Sequence, residues 1–146
     1  MADIYHQIGV NADIEKAYQA LTTLEGLSAW WSKTTGNTVE GGKLNFHFDD
    51  INIEMSIAQL IPVKKVVWQC VEKEGEWKDT VITFDLEQAE GQTFINFSHK
   101  GWAKQTSLCA HCSTKWAVFM LSLKDYLETG KGQPFPNDVH VNHMDH

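Results

Sequence analysis

Residues 105–128 read QTSLCAHCSTKWAVFMLSLKDYLE, and they carry the clearest structural pattern in the chain. Its large apolar residues recur every three or four positions, which is the spacing of one face of an α-helix. Gly130 and Gly132 follow where such a helix would end. The pattern therefore predicts one long amphipathic helix. The apolar stripe comprises Leu108, Cys112, Trp116, Phe119, Leu123 and Leu127.

The sequence before this helix alternates apolar and polar residues, as strands with one buried face do. Two short helices are predicted after the first strand, at 14–21 and 24–31. Turn residues separate the later strands, which is typical of an antiparallel meander. The seven predicted strands cover residues 3–10, 34–39, 43–49, 51–61, 66–70, 80–86 and 93–99.

Such a meander has one apolar face, and one long helix is available to cover it. A helix is roughly 10–12 Å across, too narrow to fill the concave side of seven strands. We therefore predict an α+β fold in which a curved antiparallel sheet of about seven strands wraps around the C-terminal helix, leaving a pocket. Residues 1–132 are predicted to form a single domain, and residues 133–146 a loose, His-containing tail.

The composition excludes several kinds of partner. The 146 residues carry 12 basic and 19 acidic side chains and a net charge of −7, which argues against nucleic acid. All the basic residues are lysines, so the arginine fork that usually grips anions is absent. We find no membrane span and no secretory signal. Three cysteines, an odd number, favour a reducing, cytoplasmic setting. No cofactor is predicted.

Aromatic residues make up 11% of the chain. Small-molecule pockets are lined by such side chains. We therefore predict that a small, apolar, uncharged ligand contacts the inward-facing residues of the sheet and the long helix; the alternative is that these side chains fill the core completely. The predicted ligand-binding residues are Trp31, Phe46, Phe48, Trp68, Phe84, Phe97, His99, Trp102, Trp116, Phe119 and Met120.

Two positions in this set raise separate questions. Neighbours on a helix point about 100° apart, so of Trp30 and Trp31 one is expected near the rim. His99 is in phase with apolar neighbours, so it could be a polar anchor for the ligand, a general base, or a buried histidine satisfied by nearby groups. No carboxylate is in phase with His99 to orient its ring, so binding is favoured over catalysis and no catalytic residue is assigned.

Two further patterns suggest metal or redox chemistry. Cys109 and Cys112 form a Cys-x-x-Cys motif, which could be a redox pair, half of a zinc site, or two core thiols. The core interpretation is favoured because Cys112 lies on the apolar stripe. His140, His143 and His146 recur every three residues in the tail, where adventitious metal binding is the expectation. We predict no physiological metal site.

The element order resembles the helix-grip fold of the START-like, or SRPBCC, superfamily, in the branch related to the activator of the heat-shock-protein-90 ATPase. The resemblance extends over roughly residues 1–132. It is carried by residues 20–23, 30–31, 97–102 and 112–130, and by the segment with Trp77, Thr80, Ile82 and Phe84.

The resemblance implies a hydrophobic cavity between sheet and helix but no single activity. A ligand-binding protein is the main hypothesis. A co-chaperone-like module, with a chaperone as partner and a place in the stress response, is one alternative. A cyclase- or hydrolase-type enzyme using His99 is the other. Monomer and homodimer are both compatible with the sequence.

Overall fold

The computed structural model describes residues 1–142. Seven strands form one antiparallel sheet in the order β1-β7-β6-β5-β4-β3-β2, so the predicted α+β architecture is confirmed. The elements are β1 (Ala2–Val10), α1 (Ile14–Thr22), α2 (Leu24–Trp30), β2 (Lys33–Gly36), β3 (Lys43–Phe48), β4 (Ile51–Ile61), β5 (Lys65–Cys70), β6 (Val81–Ala89), β7 (Gln92–Trp102) and α3 (Ser107–Thr129).

The boundaries of α3 follow from its caps. The Thr106 hydroxyl accepts a hydrogen bond from the Cys109 backbone N–H at 3.1 Å, and Gly130 ends the helix with φ +87°. The second strand is shorter than predicted. It ends at Gly36, which has φ +127°, and the last contact with β3 is the Asn37 N–H, which donates to the Lys43 carbonyl at 2.9 Å.

One bulge in β7 determines which side chains face the core. The pairing of β1 with β7 shifts register between Ala2 and Ile4, opposite Trp102 and His99. Gly101, with φ +93°, supplies the extra residue of the bulged strand. His99 and Trp102 are three residues apart, and strict alternation would place them on opposite faces. Because of the bulge, both are fully buried.

Helix α3 crosses one side of the sheet's concave face. It packs against β1, where His6 Nε2 donates to the Ser113 carbonyl at 2.9 Å and Lys124 Nζ donates to the Gly9 carbonyl at 2.6 Å. The hairpin of β3 and β4 lies towards the opposite edge of the sheet. The helix therefore leaves space between its amino-terminal half and that hairpin.

Residues 133–139, which follow α3, are held against the core, so the prediction of a loose tail is wrong for them. We call residues 133–139 the C-terminal strap. The Gln133 N–H donates to the Ser122 hydroxyl at 2.7 Å, and the Phe135 N–H donates to the Trp31 carbonyl at 2.7 Å. These long-range contacts have no periodic signature in the sequence.

The far end of the strap is held by a buried ion pair. Lys115 Nζ of α3 donates to the Asp138 carboxylate and to the Val139 carbonyl. His140 follows as an exposed residue, whereas His143 and His146 lie outside the described residues, so metal binding by the three histidines stays a prediction.

Asp138→Asn should destabilise the protein by about 3 kcal/mol, because it leaves the Lys115 ammonium buried without its counter-charge. Urea unfolding at pH 7 would measure the change. Asp85→Asn is the matched control, since it breaks the Lys65–Asp85 pair, whose side chains are 37% and 50% exposed. That control should cost less than about 1 kcal/mol. Equal losses in the two variants would contradict the structural role of the strap.

Candidate functional site

A cavity of about 460 Å³ occupies the space between the β3–β4 hairpin and α3. Its volume is within the range of roughly 300–1,000 Å³ typical of small-molecule sites. Its exposed lining residues are Asp49, Asp50, Ile51 and Leu108, so it opens to solvent between the hairpin turn and the start of α3. The lining residues are Trp31, Phe48, Asp49, Asp50, Ile51, Ile53, Trp77, Leu108, His111, Cys112, Lys115, Trp116, Phe119 and Phe135.

Two regular elements supply most of this lining. On α3 the lining positions run from Leu108 to Phe119 at spacings of three and four, so they share one helix face. The hairpin contributes a two-residue turn, Asp49 and Asp50, between the paired residues Phe48 and Ile51. Asp49 takes φ +53°, a left-handed conformation that Asp tolerates better than most residues.

Trp31 forms the floor of the cavity. Its ring centroid lies 4.2 Å from that of Phe46, 4.8 Å from that of Trp116 and 6.0 Å from that of Trp68. Trp30 is also buried, and its indole N–H donates to the Ala20 carbonyl at 2.9 Å. The expectation that one of the tandem tryptophans sits at the rim is therefore wrong. Helix α2 ends at Trp30, so the angular rule for helical neighbours does not apply to Trp31.

The predicted ligand-binding residues divide into two groups. Four of them line the cavity: Trp31, Phe48, Trp116 and Phe119. The others are buried in the core behind this wall, and ligand contact at any of them stays a prediction. The second group comprises Phe46, Trp68, Phe84, Phe97, His99, Trp102 and Met120.

The prediction missed several lining residues. Ile51 and Ile53 are on the predicted inner face of their strand, and Leu108 and Cys112 are on the helix stripe, so the sequence carried a signal for these four. Trp77 comes from the connection between β5 and β6, and it had no periodic signal for the site. Phe135 comes from the strap, and its ring packs against that of Phe48 at 5.2 Å.

His99 lies behind the cavity wall, in a linear series of hydrogen bonds that uses both of its ring nitrogens. The Trp116 indole N–H donates to His99 Nδ1 at 3.1 Å, and His99 Nε2 is 2.9 Å from the Thr80 hydroxyl. Burial lowers the pKa of His99 to about 3, so the ring is neutral at pH 7. Because Nδ1 accepts, Nε2 carries the proton and donates to Thr80. The Thr80 hydroxyl in turn donates to the Trp77 carbonyl at 2.6 Å.

This chain of hydrogen bonds gives His99 a positioning role. It joins Trp116 on α3 to Trp77, whose rings stack at 6.2 Å, and the His99 ring packs at 4.6 Å from the Trp77 ring. Both ring nitrogens are engaged, and His99 is not among the cavity-lining residues. A general base needs a nitrogen within reach of the substrate. The geometry therefore favours a satisfied core histidine.

The cysteine motif has the properties of core thiols. Cys70, Cys109 and Cys112 are all free. Burial raises the pKa of Cys109, and it raises the pKa of Cys112 to about 11. Thiolates are the reactive and metal-binding form, so neither redox nor zinc chemistry is favoured here. Within residues 1–142, no group of three or more potential metal ligands comes together.

Charge at the cavity is uneven. Asp49 and Asp50 are exposed at its mouth. Lys115 also lines the cavity, but its ammonium is paired with Asp138. Across the described part of the chain, none of the helices is long and apolar enough to span a membrane.

Comparison with known proteins gives one family and one fold. The family model of the activator of Hsp90 ATPase homolog 1-like protein matches residues 11–128. The solved Aha1 dimer from Colwellia psychrerythraea is 47% identical, with a TM-score of 0.84, over 90% of this chain and 100% of that one. None of the curated proteins matches this sequence.

More distant structures share the fold alone. A protein from Staphylococcus saprophyticus is 18% identical with a TM-score of 0.75, over 90% of this chain and 95% of that one. DynU16, from the dynemicin biosynthetic locus, is 17% identical with a TM-score of 0.77, over 89% of this chain and 48% of that one. These similarities confirm the predicted helix-grip fold.

Replacing His99 by Gln should make the free energy of unfolding fall less steeply as the pH is lowered below about 6.5. The folded protein keeps His99 neutral down to about pH 3, whereas the unfolded chain takes up a proton below about pH 6.5. The wild-type protein therefore loses stability as the pH falls from about 6.5 towards 3, by roughly 2 kcal/mol at pH 5.

Urea unfolding at pH 7 and pH 5 would measure this difference. His99→Gln should be less stable than the wild type at pH 7, and the gap should narrow by roughly 2 kcal/mol at pH 5. The exposed His140→Gln variant keeps His99 and should follow the wild-type profile. A gap between His99→Gln and wild type that is the same at both pH values would exclude a buried neutral imidazole.

Proposed function

The chain belongs to the family of activator of Hsp90 ATPase homolog 1-like proteins, and from this premise we propose that it binds a small apolar molecule in the cavity between the β3–β4 hairpin and α3. The observation that carries the proposal is the cavity itself, which stays open although α3 and the strap both pack beside it.

The lining favours an apolar ligand. Six of the lining residues are aromatic, and Ile51, Ile53 and Leu108 add aliphatic surface. Burying apolar ligand surface against such walls contributes roughly 25 cal/mol per Å². The walls are also held in place before a ligand arrives, by the His99 chain on one side and by the strap on the other. Preorganised walls lower the ordering cost of binding.

Ile53→Trp should block the cavity. Ile53 is half-buried on β4 and lines the cavity, so an indole there would occupy ligand space. We expect a neutral apolar dye, N-phenyl-1-naphthylamine, to bind the wild-type protein and to lose at least about tenfold in affinity in the variant. Dye fluorescence, and quenching of the lining tryptophans, would report binding.

The same substitution at the other end of the strand is the control. Ile61 ends β4, is 38% exposed and is not among the cavity-lining residues. Ile61→Trp should bind the dye as the wild type does. Absence of dye binding to the wild-type protein, or equal binding by all three proteins, would refute the cavity as a binding site. Native mass spectrometry of protein from its own host would then identify a co-purifying ligand.

A co-chaperone-like interaction module is the second candidate. It is favoured by the family match and by the 47% identity to an Aha1 protein. Its test is the ATPase rate of the host's heat-shock-protein-90 chaperone with and without the purified chain. A several-fold stimulation that survives Ile53→Trp would favour this candidate over ligand carriage, and no stimulation would exclude it.

The enzyme alternative receives less support from the site. His99, its proposed base, contacts Thr80 and Trp116 rather than the cavity. With both nitrogens engaged, the ring has no lone pair directed at a substrate.

We also propose a cytoplasmic homodimer. The 47% identical relative from Colwellia is a dimer, and the three free thiols are compatible with a reducing compartment. Sedimentation equilibrium at micromolar concentration should give twice the 16.6 kDa mass of the chain. A species of single-chain mass would refute the dimer.

A further inference from the structure

Lys115 is the one lysine that lines the cavity in the described chain and it is paired with Asp138, whereas the two lining aspartates have no ion-pair partner among the described residues. We propose that the site selects amphiphilic organic cations: ligands with an apolar body and an amine or ammonium end at the mouth. This inference rests on the proposed function and adds a chemical class to it. The apolar body would lie against the aromatic walls. The positive end would lie beside Asp49 and Asp50.

The two carboxylates are placed to meet a ligand. Asp49 and Asp50 form the turn of the β3–β4 hairpin, and both line the cavity at its solvent-exposed mouth. Among the described residues, neither of them takes part in an ion pair. Their charges are therefore open to a cation that arrives with the ligand.

The positive charge at the cavity is already committed. Lys115 is the one lysine among the lining residues of the described chain. Its ammonium pairs with Asp138, whose side chain is 2% exposed, and also donates to the Val139 carbonyl. An anionic ligand would have to compete with a buried carboxylate for this ammonium. Separating such a pair is costly, because it leaves a buried charge uncompensated.

The aromatic walls also accept the positive end of such a ligand where it meets a ring face on its way past the mouth. The faces of Trp, Tyr and Phe rings attract positive charge through their quadrupole. The cavity already contains one such contact, since Lys115 Nζ lies 5.3 Å from the centroid of the Phe119 ring. Trp31, Trp77 and Trp116 offer three further indoles in the same lining. Trp is the strongest of the three ring types for this interaction.

The net charge of the whole chain also favours cations over anions. A net charge of −7 raises the local concentration of cations and lowers that of anions around the molecule. The sequence predicted an uncharged ligand from the absence of arginine. That argument disfavours anions only. The carboxylates at the mouth add a second preference, because they attract a cation more strongly than a neutral molecule.

Three probes with the same ten-carbon chain distinguish apolar binding in the cavity from a preference for positive charge. Decylammonium, 1-decanol and decanoate would each displace N-phenyl-1-naphthylamine from the wild-type protein, at pH 7 and low ionic strength. We expect decylammonium to bind at least about tenfold more tightly than decanoate. Asp49→Asn combined with Asp50→Asn should reduce this ratio to about threefold or less and leave the affinity for 1-decanol unchanged.

The control removes the same charge elsewhere. Glu87→Gln combined with Glu90→Gln changes two exposed acids, one near the end of β6 and one in the turn to β7, neither of which lines the cavity. This variant should keep most of the tenfold ratio. Failure of all three probes to bind would overturn the proposed function. Binding of 1-decanol with equal affinities for decylammonium and decanoate would overturn the charge selectivity alone. A ratio equally reduced in both double variants would overturn the role of Asp49 and Asp50.

Discussion

The contact between Trp116 and His99 fixes the position of α3 on the sheet. It is a hydrogen bond between two buried side chains, one on α3 and one on the bulged strand β7. A buried polar group without a partner is costly, so the two elements can adopt few other relative positions. The same Trp116 ring packs against Trp31 at 4.8 Å and Phe97 at 4.5 Å. The helix is therefore fixed in rotation as well as in place.

This fixed helix explains why a cavity persists beside a well-packed core. The helix is held towards β1, so its other side faces the β3–β4 hairpin across a gap. Aromatic side chains from five parts of the chain surround the gap, and they also contact one another. Trp31 contacts Phe46 and Trp116, and Phe48 contacts Phe135. Because the rings pack against each other in tilted and edge-to-face arrangements, they do not collapse into the space.

The strap closes one side of the space between α3 and the β3–β4 hairpin. Its hydrogen bonds to Ser122 and Trp31 place Phe135 over the hairpin, and its ion pair neutralises Lys115. The strap thus defines both the shape and the electrostatics of the cavity. An apolar site results whose free charges are the carboxylates at its mouth, and the proposed function and ligand class both follow from that arrangement.

The amino-acid sequence was enough to predict the elements, their order and the inward residues of each strand, because a periodicity of two or of three to four residues is a local property of the chain. It also determined the charge balance and the absence of arginine. Tertiary structure alone decided that Trp77 and Phe135 reach the cavity, that Phe84 and Trp102 lie behind its wall, and that His99 is fully satisfied. Those outcomes depend on a strand bulge and on contacts between residues far apart in the chain, and neither leaves a repeating pattern in the sequence.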